Sequence, residues 1–219
     1  MTQKEKRARM GAIVEELKKV YPVPVCALES GGDPWKLLVM GRLSAQCTDA
    51  RVNVVCEELF RRYPNVDAMA RADVADVERM VYSCGVYKVK ASNIVEFSKM
   101  IVNDFGGKVP DNMDDLLTLP GVGRKIANLI LGDIYGLPAI VADTHCIRIS
   151  NRLSLADSKT PEKVEKTLVG LVEPSEQSDF CHRLVWFGRE VCDAKKPKCG
   201  ECPLRGDCEY VLSAESVEK

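Results

Sequence analysis

The sequence predicts an all-α protein, and three observations carry that expectation. Apolar residues recur every three to four positions in successive segments, sustained strand-type alternation is absent, and Thr160-Pro161 is a helix start signal ahead of one such segment. Taken in order, Ile13, Leu17 and Val20 form the first apolar stripe, and Val23-Pro24-Val25 reads as an extended linker. Val52, Val55, Cys56, Leu59 and Phe60 form a second stripe, and Ile94, Phe97, Ile101 and Phe105 a third. Residues 114–119 supply a short helical turn, and Ile126, Ala127, Leu129 and Ile130 give the apolar face of the helix after the next break. At Thr160-Pro161 the threonine is expected to cap and the proline to take the first helical position, ahead of Val164, Leu168 and Leu171. Residues 213–219 are polar enough to be a frayed tail.

Composition narrows the class. A chain of 219 residues with 46% hydrophobic content can bury a substantial core in one or two domains. The basic start of the chain is interrupted by Glu5, Glu15 and Glu16 and lacks an apolar segment of signal-peptide length. No window approaches the ~18 apolar residues of a membrane span. Six cysteines, Cys26, Cys47, Cys56, Cys84, Cys146 and Cys181, lack framework spacing and read as reduced, mostly buried thiols, so a reducing cytoplasm is expected. With only His145 and His182, a metal site or triad built on several histidines is excluded. His145 reads as a packed, hydrogen-bonded support, and Trp35 and Trp186 as core aromatics.

The break before Ile126 is the run Leu119-Pro120-Gly121-Val122-Gly123-Arg124-Lys125. Pro120 cannot continue a helix, and Gly121 and Gly123 allow positive φ and close backbone approach, so the run makes a tight hairpin between two helices. The N-terminus of the second helix presents N–H groups and a partial positive charge to which a phosphate can dock, which makes DNA backbone the natural ligand. That positive end disfavours an ammonium and favours the neutral amine, which is the nucleophilic form. Lys125 is thus a candidate to attack a sugar C1′ and form a Schiff base. Asp143, eighteen positions on in Val141-Ala142-Asp143-Thr144-His145, is its plausible partner, stabilising an oxocarbenium-like sugar or orienting the attacking group.

A second signal is Cys192-x6-Cys199-x2-Cys202-x5-Cys208. Four thiolates suit an iron-sulfur cluster; zinc also takes four cysteines, but its structural sites usually use two close pairs and only Cys199 and Cys202 make one. Spacing alone leaves both metals open. Lys195, Lys196 and Lys198 lie in the loop between the first two cysteines, where a folded loop would aim them at phosphates. Because 31 basic and 32 acidic residues give a net charge of −1, these lysines, Arg124, Lys125 and Arg189 are expected to form a local positive stripe.

Over residues 35–210 these motifs resemble the endonuclease III family of DNA glycosylases and abasic-site lyases. The resemblance implies that Lys125 is the Schiff-base nucleophile, that Asp143 assists it, and that Cys192, Cys199, Cys202 and Cys208 hold a [4Fe-4S] cluster. Leu43-Ser44-Ala45-Gln46-Cys47-Thr48-Asp49 is similar to the family segment whose glutamine inserts into the duplex, pointing to Gln46. Gly85-Val86-Tyr87-Lys88-Val89-Lys90-Ala91 is similar to the segment carrying a leucine wedge, here the shorter and stiffer Val86. Arg42 departs from the large apolar residue more usual before the first of these segments.

For the fold, the resemblance implies two all-α lobes with DNA and the active site between them. One is a six-helix bundle over residues 27–137 carrying the helix-hairpin-helix; the other comprises residues 1–26 and 138–219 with the iron-sulfur cluster. The implied activity is removal of oxidised pyrimidines from double-stranded DNA, followed by β-elimination at the abasic site; a monomer is the default expectation, in the cytoplasm that the reduced cysteines indicate and associated with the nucleoid. Two alternatives share many of these features. An adenine glycosylase of the same superfamily would lack a lysine at position 125, and a non-enzymatic iron-sulfur DNA-binding protein would not need Lys125 and Asp143 together.

Overall fold

Capping residues divide the chain into helices. The computed structural model describes residues 3–212, so the tail expected over 213–219 lies outside the described residues. Among those residues there are eleven α-helices and no strand, in two compact units.

The first unit, Cys26–Leu137, contains α2 (Pro34–Leu43), α3 (Asp49–Arg62), the single turn α4 (Val66–Ala70), α5 (Val74–Val81), α6 (Tyr87–Asp104), α7 (Met113–Thr118) and α8 (Arg124–Asp133). Asp33, Thr48, Asn65, Asp73 and Asn112 each accept a hydrogen bond from a first-turn N–H, so each helix from α2 to α5, and α7, starts at a side-chain cap. α2 is buried almost all round through Trp35, Leu37, Leu38, Val39, Met40 and Leu43, as befits a central helix. Val52, Cys56 and Leu59 of α3 and Ile94, Phe97 and Ile101 of α6 fill the core as their spacing predicts. Trp35 is a core aromatic whose ring lies 5.5 Å from that of Phe60 and whose Nε1 donates to Ser98 Oγ at 3.0 Å.

The second unit, Met1–Val25 with Pro138–Lys219, contains α1 (Gln3–Val20), α9 (Thr144–Arg152), α10 (Pro161–Val169) and α11 (Gln177–Glu190). Ile13 and Leu17 of α1 are buried, whereas Val20, in its last turn, is 45% exposed. The buried Arg183 of α11 donates to Tyr21 O at 3.1 Å and pairs with Glu176 at 3.3 Å, holding the end of α1. α10 starts at Thr160 with Pro161 first, as expected, but the threonine side chain makes no cap bond. Ser158 Oγ accepts from Thr160 N at 3.1 Å, a local turn that leads into the helix.

Candidate active site and nucleic-acid interface

The hairpin between α7 and α8 is anchored by two apolar residues. Leu119 and Val122 are buried, and Val122 N donates to Leu119 O at 3.1 Å, closing the turn. Gly121 has φ +76°, a conformation that L side chains rarely adopt. A Cβ there would also lie 2.5 Å from both Arg42 Nε and Asn93 Oδ1. Those two side chains are themselves bonded, Arg42 Nε donating to Asn93 Oδ1 at 3.0 Å, and burial lowers the guanidinium below its ordinary value. The departure at Arg42 therefore has a structural role under the hairpin. Only Gly121 uses the positive φ that both glycines allow, since Gly123 is extended at φ −101° and ψ 176° as the N-cap of α8. No atom lies within 4 Å of a Cβ built there, so Gly123 leaves the approach to the helix N-terminus open. Arg124 and Lys125, both exposed, are the first two residues of α8.

Gln46 and Val86 are exposed and share an unusual backbone. Their φ values are +56° and +45°, in the left-handed region that is uncommon outside glycine and least suited to a β-branched side chain. Gln46 lies in the turn after α2, and Val86 is the N-cap of α6. Between the two segments sits a residue that motif reasoning passed over. Lys90, 1% exposed, donates from Nζ to Leu43 O at 2.8 Å, Ala45 O at 2.6 Å and Cys84 O at 2.6 Å. The missed signal was periodicity, since position 90 lies one helical step before Ile94 on the stripe that buries Phe97 and Ile101. A lysine on a core stripe requires buried acceptors. Burial also pushes the Cys84 thiol up to about 11 and the Cys26 thiol up to about 12, consistent with inert fillers.

In the other unit Asp143 is the N-cap of α9, its Oδ1 accepting from Cys146 N at 2.7 Å. The cap fixes the carboxylate at the helix start through Oδ1. His145 packs against Gly188, where an added Cβ would lie only 2.3 Å from its Nδ1, and Arg148 Nη2 lies 3.2 Å from that nitrogen. Both features match a packed, hydrogen-bonded histidine. Trp186 Nε1 donates to Val25 O at 2.9 Å, and Arg189 lies over its ring at 5.2 Å.

The far end of α9 holds the cysteine-rich loop. Arg148 Nη2 donates to Cys192 O at 3.0 Å, and Arg152 reaches Cys192 Sγ at 3.1 Å, Asp193 O at 2.8 Å and Ala194 O at 3.0 Å. Neither arginine was singled out from the sequence, although a spacing of four places both on one helix face. Asp193 Oδ1 accepts from Lys195 N and Lys196 N, each at 2.8 Å, bonds that hold its carboxyl below the usual range. Lys195, Lys196 and Lys198 are exposed on this loop. The four cysteines fit a shared metal group: none is in a disulfide, and burial raises the Cys202 thiol, with Cys192, Cys208 and Cys199 close enough to raise it further. The hydrogen bond from Arg152 to Cys192 Sγ suits a metal-bound thiolate.

Comparison with known proteins converges with this geometry. Residues 39–174 match the family described as HhH-GPD superfamily base excision DNA repair protein, and residues 192–208 match the iron-sulfur binding domain of endonuclease III. The second match separates the two metals that spacing left open. Endonuclease III of Synechocystis sp. is 43% identical over 204 residues, covering 93% of each chain. That of Escherichia coli K12 is 36% identical over 204 residues, covering 93% of this chain and 96% of the relative. Among solved structures, a non-covalent endonuclease III–DNA complex is similar at a TM-score of 0.90 and 35% identity, covering 99% of both chains. A trapped endonuclease III–DNA covalent intermediate gives 0.90 and 36%, covering 98% of this chain and 99% of the other.

Proposed function

The chain belongs to the endonuclease III family of base-excision DNA repair proteins, and on that premise we propose that it excises oxidised pyrimidines with Lys125 as nucleophile and Asp143 as its assistant. It is a bifunctional DNA glycosylase and abasic-site lyase that binds DNA. The observation that carries the residue assignment is the exposed amine of Lys125 in the first turn of α8, directly behind the hairpin. Phosphate docked on the N–H groups at Gly123 and beyond would hold the sugar chain near that amine.

The damaged base leaves the stack before its sugar is attacked, and Gln46 and Val86 fill the gap. Neutral Lys125 Nζ attacks C1′ as the C1′–N bond to the base breaks, and the base departs with the electron pair and takes a proton. Asp143 stabilises the positive charge that develops on the sugar. The new ammonium gives up one proton, its nitrogen lone pair forms C1′=N as the C1′–O4′ bond breaks, and O4′ takes a proton; the resulting protonated Schiff base acidifies C2′. Removal of a C2′ proton then expels the 3′ phosphate and nicks the strand, and water releases Lys125. Cys192, Cys199, Cys202 and Cys208 hold the [4Fe-4S] cluster, which when bound cross-links the loop that presents Lys195, Lys196 and Lys198 to phosphates. The protein acts on double-stranded DNA as a monomer in the cytoplasm, at the nucleoid. No helix among the described residues is long and apolar enough to cross a membrane.

Borohydride trapping on duplexes containing thymine glycol or an abasic site tests the assignment. Native protein is expected to form a covalent adduct on both, and Lys125→Gln on neither. An undiminished adduct with Lys125→Gln would remove Lys125 as nucleophile, and no adduct with native protein would remove the lyase mechanism.

A further inference from the structure

We infer that Lys90 is a positioning residue for strand separation: its buried ammonium ties the Gln46 turn to the Val86 turn and holds both in the conformation that enters the duplex. The inference rests on the reading of Gln46 and Val86 as the inserting side chains. Lys90 lies in the first turn of α6, where the helix dipole disfavours a cation, and its burial disfavours the charge again. A methionine would fill the same volume without either penalty, so packing alone gives no reason for an ammonium here. The reason lies in its three donors. Each has an acceptor, Leu43 O, Ala45 O or Cys84 O, at 2.6 to 2.8 Å, and the partners are all backbone carbonyls. The ammonium therefore acts like a bound cation that converges three peptide dipoles on one point.

Those carbonyls belong to two separate segments. Ala45 O precedes Gln46, whereas Cys84 O precedes Gly85, φ +67°, and Val86. The two non-glycine residues of this unit with positive φ are thus each one or two residues beyond a carbonyl clamped by the same Nζ. Left-handed backbone persists at such residues only where surrounding structure over-determines it. Lys90 supplies that constraint to both turns at once, so Gln46 and Val86 are fixed relative to one another before DNA arrives. A wedge prepared in this way spends no binding energy on ordering its own loops.

The test separates positioning from fold support. Native protein, Lys90→Met, Gln46→Ala and the double variant are compared on two abasic duplexes, one with guanine opposite the lesion and one with a second abasic residue opposite it, where no base must be displaced. A 2-aminopurine opposite the lesion reports unstacking. The expected result is a fall in kcat/KM for Lys90→Met that is about 10- to 100-fold larger on the guanine-opposed duplex than on the other, as misplacement by about 1 Å produces. The 2-aminopurine signal should be lost in parallel, and Gln46→Ala should add little in the Lys90→Met background, because coupled residues are non-additive. Equal losses on both duplexes, or additive effects, would overturn the inference. If Lys90→Met fails to fold, the same cycle is run with Lys90→Arg, which keeps the charge but presents a planar fork that cannot converge three carbonyls. Failure of native protein to cleave or unstack either duplex would instead sink the underlying functional reading.

Discussion

Lys125 and Lys90 are both lysines in the first turn of a helix, and their surroundings give them opposite tasks. Lys125 is exposed, as the proposed attack on a sugar requires, whereas Lys90 is 1% exposed and bonded to three carbonyls. Removing the Lys90 ammonium leaves those carbonyls without their partner, and Lys90→Met is expected to lose about 2–4 kcal/mol of stability, read from the urea midpoint at constant m-value. Asp143 has an observed role as helix cap and a proposed one in catalysis, and substitution can separate them. Asn accepts the Cys146 N–H as Asp does, so Asp143→Asn should keep native stability and lose most glycosylase turnover under single-turnover conditions. Asp143→Ala should lose that turnover and also about 1 kcal/mol of stability from the missing cap. Wild-type turnover in Asp143→Asn would remove the carboxylate from the chemistry.

At the scale of elements, the hairpin packs against one arginine, Arg42, and the cysteine loop is held by two, Arg148 and Arg152. Gly121→Ala meets a positive-φ cost of about 1–2 kcal/mol, and its Cβ collides with the Arg42–Asn93 pair. Weaker binding of damaged and undamaged DNA alike is expected by fluorescence anisotropy if the hairpin meets backbone and not bases, as proposed. Adding Arg42→Ala should recover part of the stability but not the part due to φ. The cysteine loop is held to α9 through Arg148 and Arg152. Arg152→Ala should therefore release iron to a chelator faster than native protein, followed by loss of the visible absorbance of the cluster. Unaltered release would show that the cysteines alone hold the loop. The helix-hairpin-helix itself was readable from Pro120 and the two glycines, yet their division of labour was not. Gly121 is needed for φ and clearance, Gly123 for access, and only the packed Arg42 and Asn93 reveal the difference.

For the molecule as a whole, a net charge of −1 means that DNA affinity must come from local clusters. Replacing Lys195, Lys196 and Lys198 together by Ala should reduce the slope of log K against log salt by up to about 2.7 if all three meet phosphates. An unchanged slope would return them to the solvent. The all-α class and the stripes that became α3, α6 and α10 were legible because periodicity is a local property of the chain, and the motif spacings that single out Lys125, Asp143 and the four cysteines are local in the same way. The exposed Val20 and the support of Arg42, Arg148 and Arg152 were not legible, because each depends on which residues meet across distances the sequence does not record. Lys90 marks the boundary between the two. Its place on a buried stripe was written in the sequence, but the three carbonyls that make a charge tolerable there come together only when two turns about forty residues apart fold against one helix.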